Sequence, residues 1–209
     1  MIYYDEIFLS IQGESRDTGI PCVFVRLFGC PLRCSYCDTI QSIHNRKGIT
    51  FDNLIDKVKE YGVKNVCITG GEPLIYDDTL LIADRLSKDG YDVSIETNGC
   101  IALADNPDRK YRYIMDIKCP SSNESGKNIF SNLKCLTPKD DVICVIKDRE
   151  DYEYVKKVLE EHPTRAIIYL SPMFKDDKPL ISGELVEWIV EDRLNVRVGV
   201  QIHKILEVK

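Results

Sequence analysis

The stretch Cys30-Pro-Leu-Arg-Cys34-Ser-Tyr-Cys37 decides how the rest of this 209-residue sequence is interpreted. Three cysteines separated by three and then two residues can direct three thiolates at one centre, and thiolates suit zinc and iron–sulfur clusters. A structural zinc site needs four protein ligands, and His44 is the nearest candidate for the fourth. A four-iron cluster held by three cysteines leaves one iron open to another molecule. The spacing therefore leaves two interpretations, a zinc site and an open iron–sulfur cluster.

Short β-rich runs alternate with helical patterns along the chain. Strands are predicted at 22–28, 65–69, 92–97, 113–117, 141–146, 166–170 and 197–201. Helices are predicted after a cap at Thr50, at 79–88, around Tyr152, Val155 and Leu159, and after a cap at Ser182. This alternation predicts an α/β fold with a mostly parallel sheet, covered on its faces and formed by a single domain over residues 1–209.

Unusual motifs follow the predicted strands at their carboxyl ends. They are Thr69-Gly-Gly-Glu-Pro73, Glu96-Thr-Asn-Gly99, Asp116-Ile-Lys118 and Ser171-Pro-Met-Phe174. Parallel strands place these ends on one rim, where barrels carry their chemistry, so we expect the motifs and the cysteine loop to form one site. The polar, irregular stretch 120–140 is expected to form a crossover or a lid over that rim.

Composition restricts the classes of partner. The net charge of −6 and the pI of about 5.2 make nucleic acid a poor candidate, because phosphate binding needs clustered cations. No apolar run approaches a membrane span and the N-terminus does not resemble a signal peptide, so we expect a cytoplasmic protein. Nine cysteines, an odd number, favour metal or cluster ligation over disulfides. Cys22, Cys67 and Cys144 lie in apolar strand patterns and are expected to be buried.

Two motifs together point to a superfamily. The cysteine spacing, with Tyr36 before the last cysteine, resembles the signature of radical S-adenosylmethionine enzymes, and Gly70-Gly-Glu-Pro73 resembles their second motif. The stretches Ile7-Phe-Leu-Ser-Ile-Gln-Gly-Glu-Ser15, Cys37-Asp-Thr39 and Gln201-Ile-His-Lys204 narrow the resemblance to the 7-carboxy-7-deazaguanine synthase family, over nearly the whole chain. The rivals are an activating enzyme that places a glycyl radical on a partner protein, and a zinc-stabilised binding module.

The resemblance implies a partial, reduced (β/α) barrel and a carbon–nitrogen lyase of queuosine-type 7-deazapurine biosynthesis. Such an enzyme converts 6-carboxy-5,6,7,8-tetrahydropterin into 7-carboxy-7-deazaguanine with loss of ammonia. It uses a 4Fe-4S cluster, S-adenosyl-L-methionine and Mg²⁺. Its partners are an electron donor such as flavodoxin or ferredoxin and a second copy of itself.

The resemblance also implies site residues. It gives Cys30, Cys34 and Cys37 to the cluster and Thr39 to Mg²⁺. The S-adenosylmethionine contacts it implies are Tyr36, Asp38, Gly71, Asp116, Ile117, Lys118, Ser171, Pro172, Met173 and Phe174. The substrate contacts it implies are Ile11, Gln12, Gly13, Glu14, Arg26, Thr69, His203 and Lys209. A guanidinium fits a carboxylate in bidentate fashion, so Arg26 suits a pterin carboxylate, and a structural pair with Glu14 or Glu96 would be the simpler role.

Several of these residues also fit plain structural roles. His203 fits a surface position on the rim, and Thr39 fits a cap of the cysteine loop. Lys209 stands where the family usually has proline; its terminal carboxylate is expected near the substrate, although the last residues of a chain often fray. Ser15 stands where glycine is usual, which predicts a shifted turn, and Cys144 stands where many relatives have lysine.

Overall fold

A computed structural model describes residues 1–40, 44–175 and 178–209. The strands are β1 (Ile2–Ile11), β2 (Pro21–Leu27), β3 (Lys47–Ile49), β4 (Asn65–Gly70), β5 (Asp92–Thr97), β6 (Arg112–Ile117), β7 (Asp141–Ile146), β8 (Ile167–Pro172), β9 (Phe174–Lys175), β10 (Lys178–Pro179) and β11 (Arg197–Val198). The helices are α1 (Phe51–Glu60), α2 (Asp78–Lys88), α3 (Asn132–Cys135), α4 (Arg149–Glu161), α5 (Ser182–Glu191) and α6 (Ile202–Ile205).

One nine-stranded sheet organises the chain in the order β11-β8-β7-β6-β5-β4-β2-β1-β3. The neighbours from β11 to β2 pair in parallel, whereas β1 pairs antiparallel with β2 and β3. In the described ranges β11 and β3 do not pair with each other, so no closed barrel is formed there. The predicted mostly parallel α/β sheet is confirmed.

The parallel strands form where apolar residues run on without interruption, because both faces of such a strand are covered. In β2 the residues from Cys22 to Val25 and Leu27 are all buried. Helix α1 covers one face with Leu54, Ile55 and Val58, and the Thr50 hydroxyl accepts a hydrogen bond from the Asn53 amide at 3.3 Å. The predicted cap at Thr50 is therefore confirmed.

Three predictions at the ends of the chain were wrong or incomplete. The longest strand, β1, was not predicted, because its polar residues interrupt the apolar pattern. Ser182 is the first residue of α5 and not its cap; Ile181, at φ 46°, precedes the helix without a capping side chain. The last strand stops at Val198, after which Gly199 still donates to the Leu170 carbonyl at 2.8 Å.

The segment 120–140 connects the parallel neighbours β6 and β7, so the predicted crossover is confirmed; it is packed against the body of the protein and does not line the cavity, so the alternative of a lid is wrong. Leu133 and Leu136 are buried in the main core. Asn132 is also buried; its side chain accepts from the Leu103 amide at 2.9 Å and donates to the Ile101 carbonyl at 2.8 Å. The burial of Leu133 and Leu136 and the hydrogen bonds of the Asn132 side chain hold this segment in place, although its composition is mostly polar.

Two composition-based expectations meet the structure here. Cys22, Cys67 and Cys144 are buried, as predicted. Within the described residues, no helix has the length and apolar character that crossing a membrane requires.

Candidate active site

A cavity of about 550 Å³ opens at the carboxyl ends of the parallel strands. Its wall combines the cysteine loop after β2 with the ends of β4, β5 and β6 and with the residues after β8. The C-terminal segment and the loop after β1 complete it. Parallel topology thus assembles motifs that are far apart in the sequence, as the sequence predicted.

Glycines allow the cysteine loop to lie directly on the end of β4. A Cβ on Gly71 would stand 2.3 Å from the Gly29 carbonyl oxygen and 2.4 Å from the Cβ of Cys30, closer than side chains pack. Gly70, at φ 145°, has the Leu27 carbonyl oxygen 2.3 Å from its hypothetical Cβ. The Gly-Gly pair is therefore required by this close approach of two backbones.

Glu72 completes that motif as a fully buried carboxylate. It accepts hydrogen bonds from the Leu74 amide at 2.9 Å, the Thr97 hydroxyl at 2.9 Å and the Asn98 amide at 2.7 Å. Burial raises its pKa, and these donors oppose the rise. Glu72 thereby fixes the turn at the end of β5 next to the cysteines.

The three cysteines of the loop are free thiols on the cavity wall. The Cys37 amide donates to the Cys34 carbonyl at 3.2 Å, which folds the loop into a turn. The sulfur of Cys30 lies 3.4 Å from the Leu32 amide and 3.6 Å from Nδ2 of Asn98. Burial raises the pKa of Cys30 and Cys34, so metal binding must displace their protons.

A half-buried cation, Lys118, stands beside the cysteine loop. Nζ of Lys118 lies 2.5 Å from Oδ2 of Asp116. Burial disfavours its charge, but Asp116, Tyr36 and Cys34 outweigh burial and raise the pKa of Lys118. Oη of Tyr36 is buried without a hydrogen-bond partner in the described ranges. A charged amine and an unpaired phenol therefore face the space next to the thiols.

A row of polar side chains crosses the wall on β1, β2 and β4. Arg26 is the register partner of Glu6 on one side and of Thr69 on the other. Nε of Arg26 lies 3.2 Å from Oε1 of Glu6, and its guanidinium carbon lies 5.6 Å above the Phe8 ring. The sequence suggested Glu14 or Glu96 as a structural partner of Arg26, and Glu6 takes that place instead.

The loop after β1 is tied to the C-terminal segment. Nε2 of Gln12 donates to Glu96 at 3.1 Å, and the Gln201 amide donates to Glu14. Burial raises the pKa of Glu14 to about 7; Gln201 opposes the rise. The backbone of Gly13 accepts from the Ile202 amide at 3.1 Å. The carboxylates of Glu14 and Glu96 are thereby held on the cavity wall, and together with Gln12 they form what we call the cavity floor.

Gly13 is also the point where His203 enters the cavity. A Cβ on Gly13 would stand 1.9 Å from Nδ1 of His203. Burial and the neighbouring Lys204 lower the pKa of His203, so its ring is neutral at pH 7. His203 is half-buried on the cavity wall and not a free surface side chain.

The end of the C-terminal segment folds back on β1. The Ser10 hydroxyl donates to the backbone carbonyl of Lys209 at 2.5 Å, and the Lys209 amine pairs with Glu6. Lys204 bonds Asp38 of the cysteine loop at 2.9 Å. These contacts hold Lys209 on the cavity wall instead of leaving it frayed.

Most of the residues predicted for the site line this one cavity. Three do not: Ile117 is buried in the core, and Ser171 and Pro172 lie in β8 outside the cavity wall. Sequence reasoning missed Glu6, Phe8 and Phe24, which do line it; Asn98 and Lys204 also line it and belong to motifs that were quoted without a role for these two residues. The alternation in β1 and β2 could have indicated Phe8 and Phe24, whose rings stack at 5.1 Å.

Ser15 and Cys144 differ from the residues that are usual in the family, and the structure shows the surroundings of each. Ser15 adopts φ 67°, the left-handed conformation that glycine supplies without strain, so the serine occupies a backbone conformation that favours glycine. Cys144 is buried in the main core and does not line the cavity. A lysine at 144 would therefore meet the core and not the substrate space on this backbone.

The donor set suits an iron–sulfur cluster with an open position. Three thiols, a glycine cradle with no room for a side chain, and the unpaired Tyr36 phenol adjoin one another. Within the described residues, no three His, Cys, Asp or Glu side chains lie close enough together to hold a single metal ion, and His44 is exposed.

Comparison with known proteins identifies the family. Residues 25–120 match the model of the Radical SAM superfamily. A 7-carboxy-7-deazaguanine synthase of Koribacter versatilis is 38% identical, over 96% of this chain and 95% of its own length. The chain belongs to the 7-carboxy-7-deazaguanine synthase family. A second member, from Methanospirillum hungatei, is 39% identical over 96% of this chain and 83% of its own length.

A solved structure agrees with the fold of this synthase family. The crystal structure of QueE from Escherichia coli has a TM-score of 0.75 at 22% identity and covers 96% of this chain and 93% of its own. Family membership decides against the glycyl-radical activase and the zinc module. The chain is a radical S-adenosylmethionine lyase, and its cofactors are a 4Fe-4S cluster, for which Cys30, Cys34 and Cys37 are the fitting thiols, and S-adenosylmethionine.

Proposed function

We propose that this synthase converts 6-carboxy-5,6,7,8-tetrahydropterin into 7-carboxy-7-deazaguanine and ammonia. One observation carries the proposal: a single cavity is lined both by the three thiols and by Arg26. When bound, the cluster, which Cys30, Cys34 and Cys37 would hold, and S-adenosylmethionine would supply the radical chemistry for hydrogen abstraction from the substrate. The residues of the chain bind, orient and shield the substrate.

Arg26 is the proposed partner of the substrate carboxylate. Its contact with Glu6 uses Nε, and in the described ranges its two terminal nitrogens have no protein acceptor. A carboxylate can therefore take both terminal nitrogens. Glu6 also pairs with Lys209, so two cations share one protein anion and the local balance favours a further negative group.

The floor of the cavity suits the pterin ring edge. The ring presents amide and amino N–H donors, which need acceptors when they leave water. The carboxylates of Glu14 and Glu96 and the amide of Gln12 supply acceptors in one place. The neutral ring of His203, held against Gly13, offers one donor and one acceptor from the side.

The S-adenosylmethionine contacts proposed here are those predicted residues that face the cavity near the thiols. They are Tyr36, Asp38, Gly71, Asp116, Lys118, Met173 and Phe174. Lys118 and Asp116 present both signs of charge, which suits the amino and carboxylate groups of the methionine moiety. Thr69 and Ile11 complete the proposed substrate contacts.

Mg²⁺ at Thr39 is part of the proposal. The Thr39 hydroxyl lies 3.9 Å from the sulfur of Cys37, at the edge of the thiol group and on the cavity wall. Mg²⁺ prefers oxygen ligands and retains waters, so a hydroxyl and a substrate carboxylate form a suitable sphere.

The proposed partners are an electron donor such as flavodoxin or ferredoxin and a second copy of the chain, in the cytoplasm. Exposure of Cys37 supports delivery of electrons at the loop. Exposed apolar side chains at Ile205, Leu206 and Val208 support a protein contact at the C-terminal segment.

The test is anaerobic reconstitution with iron and sulfide, followed by turnover of 6-carboxytetrahydropterin and mass spectrometry of the product. We expect a product with the mass of 7-carboxy-7-deazaguanine, and none from Cys34→Ala. Cys135→Ala is the matched control, because Cys135 lies in α3, outside the cavity wall. A different product would overturn the substrate assignment, and full turnover by Cys34→Ala would overturn the cluster assignment.

A further inference from the structure

A chain of hydrogen bonds joins helix α4 to the cysteine loop. At the loop, the Ser35 amide donates to the Ser122 carbonyl at 3.0 Å and the Ser35 hydroxyl donates to the Ser121 carbonyl at 2.6 Å. At the helix, the Ser121 amide and hydroxyl donate to the two oxygens of Asp151 at 3.0 and 2.5 Å. Ser35 stands between the ligands Cys34 and Cys37, so two steps separate Asp151 from the cluster thiols.

Asp151 is fully buried and its acceptor capacity is taken up by this arrangement. Besides Ser121, the Lys147 amide donates to its Oδ2 at 2.9 Å. A buried carboxylate without donors is strongly unfavourable, so these contacts fix the turn 120–122 relative to α4. Ser122 is also fully buried, and its hydroxyl donates to the Cys119 carbonyl at 2.6 Å. The turn is therefore held from two sides before it meets the loop.

A second hydrogen bond joins the cysteine loop to the residues that follow this turn. The Arg33 amide donates to Oε1 of Glu124 at 2.6 Å, directly after the same turn. The backbone on both sides of Cys34 is thus bonded to residues 121–124. Pro31, Arg33 and Ser35 are themselves exposed, so these hydrogen bonds and not the burial of their side chains hold this part of the loop.

We propose that Asp151 is a positioning residue for the iron–sulfur cluster. Through Ser121 and Ser122, Asp151 sets the conformation of the Cys34–Cys37 turn. The inference uses cluster binding, which family membership supplies, and is independent of the substrate. Its consequence is that the turn is preformed, so that the thiols need less ordering when iron binds. The competing explanation is that Asp151 only supports the first turn of α4.

The test compares Asp151→Ala with Asp148→Ala. Asp148 caps the same helix by accepting from the Glu150 and Asp151 amides at 3.1 and 3.2 Å, without contacting residues 121–122. In the iron-free full chain, we expect Asp151→Ala to speed amide exchange in the peptide containing Ser35 and alkylation of Cys34 and Cys37 by about five- to tenfold, the order of one lost hydrogen bond. In the reconstituted protein, iron loss to a chelator should be faster by a similar factor. Asp148→Ala should speed exchange in α4 only.

Two further variants keep the test decisive if Asp151→Ala does not fold. Ser121→Ala removes the link to Oδ2 alone, and Ser35→Ala removes the outermost link at the surface of the loop. Both should speed alkylation of Cys34 and Cys37 without changing exchange in α4. Asp151→Asn retains one acceptor oxygen and should fall between the wild type and the alanine variant.

The proposal is overturned if Asp148→Ala opens the loop as much as Asp151→Ala does, because fraying of α4 would then explain the effect. It is equally overturned if Ser121→Ala and Ser35→Ala leave both alkylation and iron retention at the wild-type rates. A protein that loses iron as expected but makes another product would refute only the substrate proposal.

Discussion

Replacement of Gly13 by alanine tests the architecture of the substrate end directly. The new Cβ would lie 1.9 Å from Nδ1, 2.6 Å from Cγ and 3.0 Å from Cβ of His203. Carbon atoms in contact are ordinarily about 3.5–4.0 Å apart, so the imidazole has to retreat by roughly 1.5–2 Å. The Gly13 carbonyl is bonded to the Ile202 amide at 3.1 Å, which keeps the backbone from moving away instead. We therefore expect the ring of His203 to leave the cavity.

The expected magnitude follows from what His203 contributes. Loss of one hydrogen bond to the substrate corresponds to about 0.5–1.5 kcal/mol, or a rise in KM of about two- to tenfold. Overpacking should lower the free energy of unfolding by about 1–3 kcal/mol. The cluster content should be unchanged, because the new methyl group meets His203 and not the cysteine loop. The assays are KM for 6-carboxytetrahydropterin, iron per chain and urea denaturation.

Two controls identify the cause. Gly183→Ala adds a methyl group in α5 where no atom lies within 4 Å, so KM should stay at the wild-type value. In a His203→Ala background the imidazole contacts at 1.9 and 2.6 Å are absent and only the Cβ contact at 3.0 Å remains, so adding Gly13→Ala should raise KM no further and destabilise the protein less. A Gly13→Ala enzyme with wild-type KM and stability would refute the reasoning.

The remaining predictions concern single side chains of the cavity. Arg26→Lys should raise the substrate KM by about one to two decades while uncoupled cleavage of S-adenosylmethionine continues, because an ammonium cannot replace the bidentate contact of a guanidinium. An unchanged KM would mean that Arg26 is only the structural partner of Glu6. Thr39→Val should abolish the stimulation of product formation by Mg²⁺, and stimulation equal to the wild type would place the ligand elsewhere. For Glu14, the pKa of about 7 in the folded chain exceeds the ordinary 4.5, so its contribution to stability is complete below about pH 4.5 and is lost as pH rises through about 7. Between about pH 5 and about pH 8, the free energy of unfolding should therefore fall more for the wild type than for Glu14→Gln, as measured by urea denaturation; parallel pH profiles would contradict the burial of this carboxylate.

Much of the fold could be predicted from local patterns. β5 and β7 have the predicted bounds, and Thr50 caps α1, because uninterrupted apolar runs and capping side chains act over a few neighbouring residues. The strand β1 was not predicted, because polar residues interrupt its apolar pattern and leave no local signal. Its pairing partner β2 and its burial are decided by the sheet and not by its own alternation.

Some features of the candidate site could likewise be predicted from local sequence, and others could not. The cysteine spacing and the Gly-Gly pair indicate their chemistry locally, because thiol spacing and absent side chains are properties of adjacent residues. The partner of Arg26 could not be predicted, since it depends on the register of β1 against β2, which brings Glu6 and not Glu14 or Glu96 beside it. A shift of one residue in that register would turn every side chain to the other face.

The sequence by itself therefore determined the kind of chemistry: three closely spaced thiols that fit a cluster, a parallel α/β sheet and one rim that carries the motifs. Only the tertiary structure decided which side chains face one another there. It turned Ile117 into the core, brought His203 onto Gly13 and placed the buried Asp151 beneath the cysteine loop. These contacts join residues that are far apart in the chain, and their geometry exists only once strand register and packing have brought the segments together.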